Sequence, residues 1–451
     1  MTRERIAWLC CMVAVVTLGV QWAGVSSGTP GGNRDDDYVF VRTLVDLQRQ
    51  INGNYVKPVD ADRLRQAAIE GMLEELDPFT VYVPPTRQED FDRLLEGTFK
   101  GVGVQLNQLD NGAIEVVSPI DGSPAFKAGV MAGDVLLKVN GESVEGIRMT
   151  EAARKIAGPL GSEVTFTVRR ATGETLDLTM TREEVVIPTV RGWGRNDDNT
   201  WDWTIRDQPR IGYLRITQFT PETADAFKSA VEQMLREGMR GLVMDLRFNP
   251  GGRLDQAIRV VDLLIEEGAI LSTKGHNRPE QTLRASAEGT LPRFPLIVLV
   301  NEHSASASEI VAGSLMDNGR AVVIGQRTYG KGSVQEVVPL EQDAGELKLT
   351  VAYYYLPSGR RVHREKDSDA WGVEPNITVA MDEPAHIALQ RERYEAELFR
   401  RPTTKPSTQP TTETVLDPQL QRAVDTMTAL LVFGDRATAS AGAPATTRPA
   451  D

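Results

Sequence analysis

Between about Val185 and Val379 apolar strands alternate with helical segments, and that alternation constrains the fold more than any other feature of the chain. Ile211-Gly-Tyr-Leu-Arg-Ile reads as a strand, Thr223 to Glu237 as a helix, and Gly241-Leu-Val-Met-Asp-Leu-Arg as a buried strand. Leu254 to Ile265 (helix), Leu296-Ile-Val-Leu-Val-Asn (strand), Ala307 to Met316 (helix) and Ala321-Val-Val-Ile-Gly (strand) continue the pattern. Apolar strands separated by helical lengths read as a sheet covered on both faces. The expectation is an α/β core with a largely parallel central sheet.

The texture differs on either side. From about Phe99 to Arg182 short strands are punctuated by glycine, as in Ile114-Glu-Val-Val and Val164-Thr-Phe-Thr-Val-Arg-Arg, with helices at Ser123 to Gly129 and Thr150 to Ala157. A span of about 85 residues suits one small domain. From Tyr38 to Leu95 apolar residues recur at helical spacing, and Asp77-Pro78 ends one helix. Beyond Asp382 come a charged helix, a Thr/Pro-rich linker from Pro402 to Thr414, a short helix around Leu420 to Leu431 and an Ala/Thr/Pro tail.

Arg3 and Arg5 precede an apolar run from Ile6 to about Val20, followed by small residues, which reads as an export signal or a signal anchor. Both cysteines, Cys10 and Cys11, fall within it, so the remaining chain offers no disulfide and no thiol nucleophile. The formal charge is −13 with no Lys/Arg-rich run, which argues against nucleic acid and anionic membrane surfaces as partners.

The densest chemical signal is Asn301-Glu-His-Ser-Ala-Ser-Ala-Ser-Glu309, where a buried strand gives way to a helix. A serine there sits at the positive end of the helix dipole, beside N–H groups that can hold an oxyanion. An ordinary Ser-rich helix cap reads equally well on this stretch alone. A nucleophilic serine needs a base. The four histidines, His276, His303, His363 and His386, fall in no triad motif, and the one Gly-x-Ser-x-Gly match, Gly24 to Gly28, lies in the export segment. The other candidate is Lys331, held between Gly330 and Gly332, with Gln335 four residues on to orient its amine. Asp245-Leu-Arg-Phe-Asn-Pro-Gly-Gly252 ends the buried strand at the sheet edge where α/β folds bind ligands, and its paired glycines can aim N–H groups at negative charge. In the small domain, Gly97-Thr-Phe-Lys-Gly-Val-Gly-Val104 leads into a strand and can offer N–H groups to a peptide carboxylate, or serve as a plain hairpin.

In their order these motifs, with Gly71 to Pro78, Ser123 to Val130, Tyr329 to Gln335 and Tyr355 to Arg360, resemble the carboxyl-terminal processing peptidases, the Tsp and CtpA-type proteases. The resemblance implies an α/β protease core with a largely parallel central sheet, an inserted PDZ-like β-rich domain, and flanking N- and C-terminal helical segments. It divides the chain at 1–28 (export segment), 37–96 (helical), 97–184 (PDZ-like), 185–381 (protease core) and 382–451 (C-terminal helices, linker and tail).

The same resemblance implies Ser306 as nucleophile, Lys331 as general base, Gln335 as its orienter, and an oxyanion site made by Ala307, Gly251 and Gly252. Phe99, Gly101, Val102, Gly103 and Val104 form the implied peptide-binding loop. No cofactor and no metal is expected. The partners implied are protein or peptide substrates with free C-termini, with a homo-oligomer and an adaptor protein as further candidates, and the location is outside the cytoplasm. Two departures stand out: His303 where the family usually has glycine, and Leu76-Asp-Pro-Phe-Thr80 where it has Leu-Asp-Pro-His-Ser. The competing reading is a PDZ-bearing binder on an inactive protease fold.

Overall fold

The structure, a computed structural model, describes residues 34–88, 96–109, 111–205, 207–366, 368–399 and 417–441. The export segment at 1–28 and the Thr/Pro linker lie outside them. Among the described residues no helix is long and apolar enough to cross a membrane. The chain divides into two units, Met1–Pro78 and Phe79–Asp451.

Among its described residues the first unit has two helices, Arg34–Asn54 and Ala61–Glu74. The second starts because Asp60, just outside it, accepts hydrogen bonds from the N–H groups of Asp62 and Arg63, at 2.9 and 3.3 Å.

In the second unit a seven-stranded sheet has the order Val190–Arg191, Gln208–Ile216, Gly241–Asp245, Leu296–Val300, Val322–Gly325 and Ile377–Thr378, with Thr204–Ile205 beside Gln208–Ile216. The four pairings from Gln208–Ile216 to Ile377–Thr378 are parallel. Gly241–Asp245 and Leu296–Val300 are buried at every residue, because helices cover both faces of the sheet. Thr223–Arg236, Leu254–Asp262 and Ala307–Asp317 pack into a core with Phe227, Val260 and Ile310. On the other face, helix Pro418–Ala441 contributes Leu420, Ala423 and Met427.

A largely parallel central sheet does not describe the molecule, whose pairings between described strands are otherwise all antiparallel. The sheets are mixed, and mostly antiparallel. Three of the four parallel pairings are between strands with an intervening helix, Thr223–Arg236, Leu254–Asp262 or Ala307–Asp317. A second sheet in this unit is wholly antiparallel, built from Val81–Val83, Glu346–Tyr355, Ala269–Gly275, Arg278–Arg284 and Ser333–Pro339. Val81–Val83 thus forms a strand inside a segment expected to be helical.

The small domain is an antiparallel sheet in the order Val104–Gln108, Ile114–Pro119, Val135–Val139, Glu163–Arg169 and Thr175–Thr181, with Glu142–Ser143 beside Val135–Val139. Helix Met149–Ile156 buries Ala152 and Ile156 in a core of its own with Val116, Leu136 and Phe166. Strand Thr98–Gly101 pairs with Glu183–Val186, so the chain enters and leaves this domain side by side.

Candidate active site

Strand Leu296–Val300 ends at Asn301, and helix Ala307–Asp317 begins six residues later. Hydrogen bonds stitch the intervening corner to the turn after Gly241–Asp245. Asn301 Oδ1 accepts from the N–H groups of Phe248 (3.0 Å) and His303 (3.2 Å). Ser304 Oγ donates to Leu246 O at 2.8 Å, and Ser308 Oγ donates to Asn249 O at 3.0 Å. Ser304 and Ser308 are fully buried and committed to these carbonyls. Ser306, between them, is partly exposed and has φ 56°, ψ −115°, a left-handed backbone that strains a residue with a side chain. Gly251 explains how the corner closes: a Cβ there would lie 2.7 Å from Ser306 Cβ and 2.8 Å from Ala305 O.

One cavity is lined by Gly252, Ser306, Ala307, Lys331 and Gln335, together with Leu254, Ile310, Val334 and Tyr354. Residues from four separated segments therefore meet around one space. Lys331 lies in the loop before strand Ser333–Pro339. Its flanking glycines are required by packing, since a Cβ at Gly332 would lie 2.3 Å from His363 N and one at Gly330 2.7 Å from Trp371 Cδ1. Gln335 Nε2 donates to Ser333 Oγ at 2.7 Å and to Thr350 Oγ1 at 3.3 Å. Of the three expected oxyanion residues, Gly251 uses its N–H on Asn249 Oδ1 at 2.8 Å. The N–H groups of Ala307 and Gly252 make no hydrogen bond among the described residues. His303 does not line this cavity; its ring stacks on Phe248 at 5.4 Å and 22°.

Sequence reasoning assigned no role to three side chains found here. Tyr354, buried, donates its hydroxyl to Lys331 O. The Phe79 ring lies 4.9 Å below Lys331 Nζ, one of the two positions that depart from the Leu-Asp-Pro-His-Ser pattern. Glu309, fully buried, holds the Ser306 corner and the Lys331 loop at once. Its Oε2 accepts from the N–H of Ser306 (2.8 Å) and of Lys331 (2.8 Å). Its Oε1 accepts from Thr328 Oγ1 (2.6 Å) and the N–H of Gly330 (2.7 Å). The signal was legible: Ser-x-x-Glu at the start of an apolar helix is a capping-box spacing.

Burial pushes the Glu309 carboxyl from 4.5 up to about 7, against the pull of those four hydrogen bonds. With the folded value above the unfolded one, the stability linked to this proton is fully present below pH 4.5 and is lost as pH rises through about 7. Urea unfolding of wild type and Glu309→Gln across that range isolates the effect. Wild type should lose stability relative to the variant, with a slope of at most about 1.4 kcal/mol per pH unit. Parallel pH profiles would contradict it. Glu309→Gln should also slow any turnover that depends on Ser306, because an amide NH₂ would face a backbone N–H from which the carboxylate accepts.

Behind the glycine turn, Arg247 ties the strand end to the C-terminal segment. It is buried, pairs with Asp245, and reaches Asp417 through two bonds of 2.9 Å and Gln419 at 3.1 Å. Burial would raise the Asp245 carboxyl, but Arg247 overrides it and holds the group at about 2. Asp417 and Gln419 thereby brace the turn that carries Gly252.

The sequence matches the family model for peptidase family S41 over residues 210–379 and that for a PDZ domain over residues 115–170. It is 36% identical over 378 residues to a carboxy-terminal-processing protease of Bartonella bacilliformis, covering 82% of each chain. Against the carboxy-terminal processing protease CtpA of Bacillus subtilis it is 34% identical over 340 residues, covering 75% of this chain and 68% of that one. A solved photosystem II D1 C-terminal processing protease is 29% identical, with a TM-score of 0.42, covering 76% of this chain and 92% of that one.

Proposed function

The chain belongs to the carboxy-terminal processing proteases of peptidase family S41, serine peptidases with a PDZ domain, and on that premise we propose that it cuts protein chains with a Ser306–Lys331 dyad after binding their C-termini. The observation that carries the dyad is the single cavity shared by Ser306, Ala307, Gly252, Lys331 and Gln335. Lys331 Nζ takes the proton of Ser306 Oγ as it attacks the scissile carbonyl. The oxyanion is held by the N–H groups of Ala307 and Gly252, the two that are uncommitted, at the positive end of helix Ala307–Asp317. The protonated amine then supplies the leaving nitrogen, and water releases the acyl group by the reverse sequence. Gln335 keeps its side-chain oxygen for the lysine amine while its NH₂ is fixed by Ser333 and Thr350. The Phe79 ring face favours an ammonium, so Lys331 must give up that contact, or its proton, to act as base.

For substrate capture the supporting observation is that Val104–Gln108 is an edge strand among the described residues, beside helix Met149–Ile156, with Val102 and Gly103 at its head, between it and strand Thr98–Gly101. Gly103 has φ 76°, and a Cβ there would lie 2.3 Å from Ser123 Cβ, so this backbone requires glycine. The N–H groups of Val102 and Gly103 donate no hydrogen bond among the described residues and are the donors proposed for a terminal carboxylate. An extended peptide adds to the strand edge. A peptide with a free C-terminus and an apolar last residue should bind at least about tenfold more tightly than its C-terminal amide, a loss of about 1.4 kcal/mol. Equal affinities in a calorimetric titration would overturn this recognition mode.

Two wider readings accompany it. Helix Arg34–Asn54 leaves Tyr38, Phe40, Leu44 and Leu47 exposed, which favours pairing with a second copy over a lone chain. The basic-then-apolar N-terminus favours a location outside the cytoplasm.

A further inference from the structure

His303, the residue that departs from the family's glycine, faces away from the catalytic cavity into a cluster of its own. Glu302 and His303 come from the corner after strand Leu296–Val300; Glu383 and His386 lie three apart on one face of helix Glu383–Glu397. A ligand atom from each of the four lies within 4.8 Å of every other. His386 is only 2% exposed, and neither of its ring nitrogens makes a hydrogen bond. Its Nδ1 lies 3.3 Å from Glu302 Oε1 without hydrogen-bond geometry, and Glu302 Oε2 is also buried without a partner. A buried imidazole and a buried carboxylate oxygen left unsatisfied side by side cost stability unless something binds them.

We infer that Glu302, His303, Glu383 and His386 form a binding site for one divalent transition-metal ion of the zinc class. Two imidazoles and two carboxylates supply four donors of the kind Zn²⁺ takes in tetrahedral sites, whereas Ca²⁺ and Mg²⁺ are served by oxygen. Bonds of about 2.0–2.2 Å require the donors to draw together by roughly an ångström. The exposed side chains of His303 and Glu383 have the freedom to do so. Phe248 already orients both imidazoles: His303 stacks on it, and His386 meets its edge at 5.4 Å and 89°. Phe248 belongs to the turn that carries Gly252, and His303 to the corner that carries Ser306. A bound ion would clamp helix Glu383–Glu397 to both elements of the catalytic cavity. The sequence hid the site because its two halves are distant in the chain and neither half has zinc-ligand spacing. The inference rests on none of the catalytic assignments.

Calorimetric titration of ZnCl₂ into the chelator-treated full chain tests it. One ion should bind per chain, and MgCl₂ should give no binding at the same concentrations. His303→Ala and Glu383→Gln, both at exposed positions that leave the fold intact, should each weaken Zn²⁺ at least about tenfold. The melting temperature of wild type should rise with Zn²⁺ and that of the double variant should not. Absence of stoichiometric Zn²⁺ binding to wild type, or undiminished binding by both variants, would overturn the assignment.

Discussion

Ser306→Ala should lower kcat by at least about 10⁴-fold on an unfolded protein substrate while costing no more than the roughly 0.5–2 kcal/mol of a lost helix cap. Only one oxygen is removed, and alanine bears the left-handed φ of 56° no worse than serine does. The neighbouring serines supply the control. Ser304 and Ser308 each hold a buried carbonyl of the adjoining turn, at 2.8 and 3.0 Å. Alanine at either position should cost about 1–3 kcal/mol of stability by leaving that carbonyl unsatisfied, yet retain catalysis in the folded fraction. Chemical denaturation beside a turnover assay separates the two classes. A Ser306→Ala protein that cleaves at the wild-type rate would remove the serine from the mechanism.

Lys331→Ala should be as severe, and Lys331→Arg no milder. Arginine preserves length and charge but remains protonated, so it cannot accept the Ser306 proton. A lysine base makes kcat/KM rise with pH along a limb above the neutral range, since free lysine titrates near about 10.4, whereas a histidine base gives a limb near about 6.5. His303, three residues before Ser306, is the nearest histidine in sequence that could serve as base instead, but its ring packs on Phe248 and outside the cavity that Ser306 lines. His303→Ala should therefore keep most of the activity that Lys331→Ala loses. The opposite pair of results would transfer the role to the histidine.

The protease core was legible wherever burial acts on both faces of a strand. Gly241–Asp245 and Leu296–Val300 are continuous apolar runs flanked by helices, and they are the parallel strands at the centre of the seven-stranded sheet. The antiparallel sheet was harder to see. Strand Arg278–Arg284 is exposed at every residue, so no alternation marks it, and Val81–Val83 is too short for a periodic signal. At the site, Ser306 and Lys331 could be named because each stands in a serine- or glycine-rich turn, and Gln335 because it follows Lys331 in the next strand. Phe79 and Tyr354 reach the same place through packing over longer sequence separations, whereas Glu309, three residues after Ser306, was open to reading from its capping-box spacing. The expectation that both glycines of the turn serve the oxyanion overlooked Asn249, whose side chain takes the Gly251 N–H. That satisfaction is local, two residues apart, and asparagine commonly bonds its own backbone at this distance.

The most direct measurement of the central proposal is to identify which residue a serine-directed fluorophosphonate modifies. Wild-type protein, inactivated by the reagent and digested, should carry the phosphonyl group on Ser306, with Ser304 and Ser308 unmodified. Modification should fall away in Lys331→Ala, because the hydroxyl is then no longer activated. Full inactivation with the label on another residue, or undiminished labelling of Ser306 in Lys331→Ala, would contradict a Ser306–Lys331 dyad.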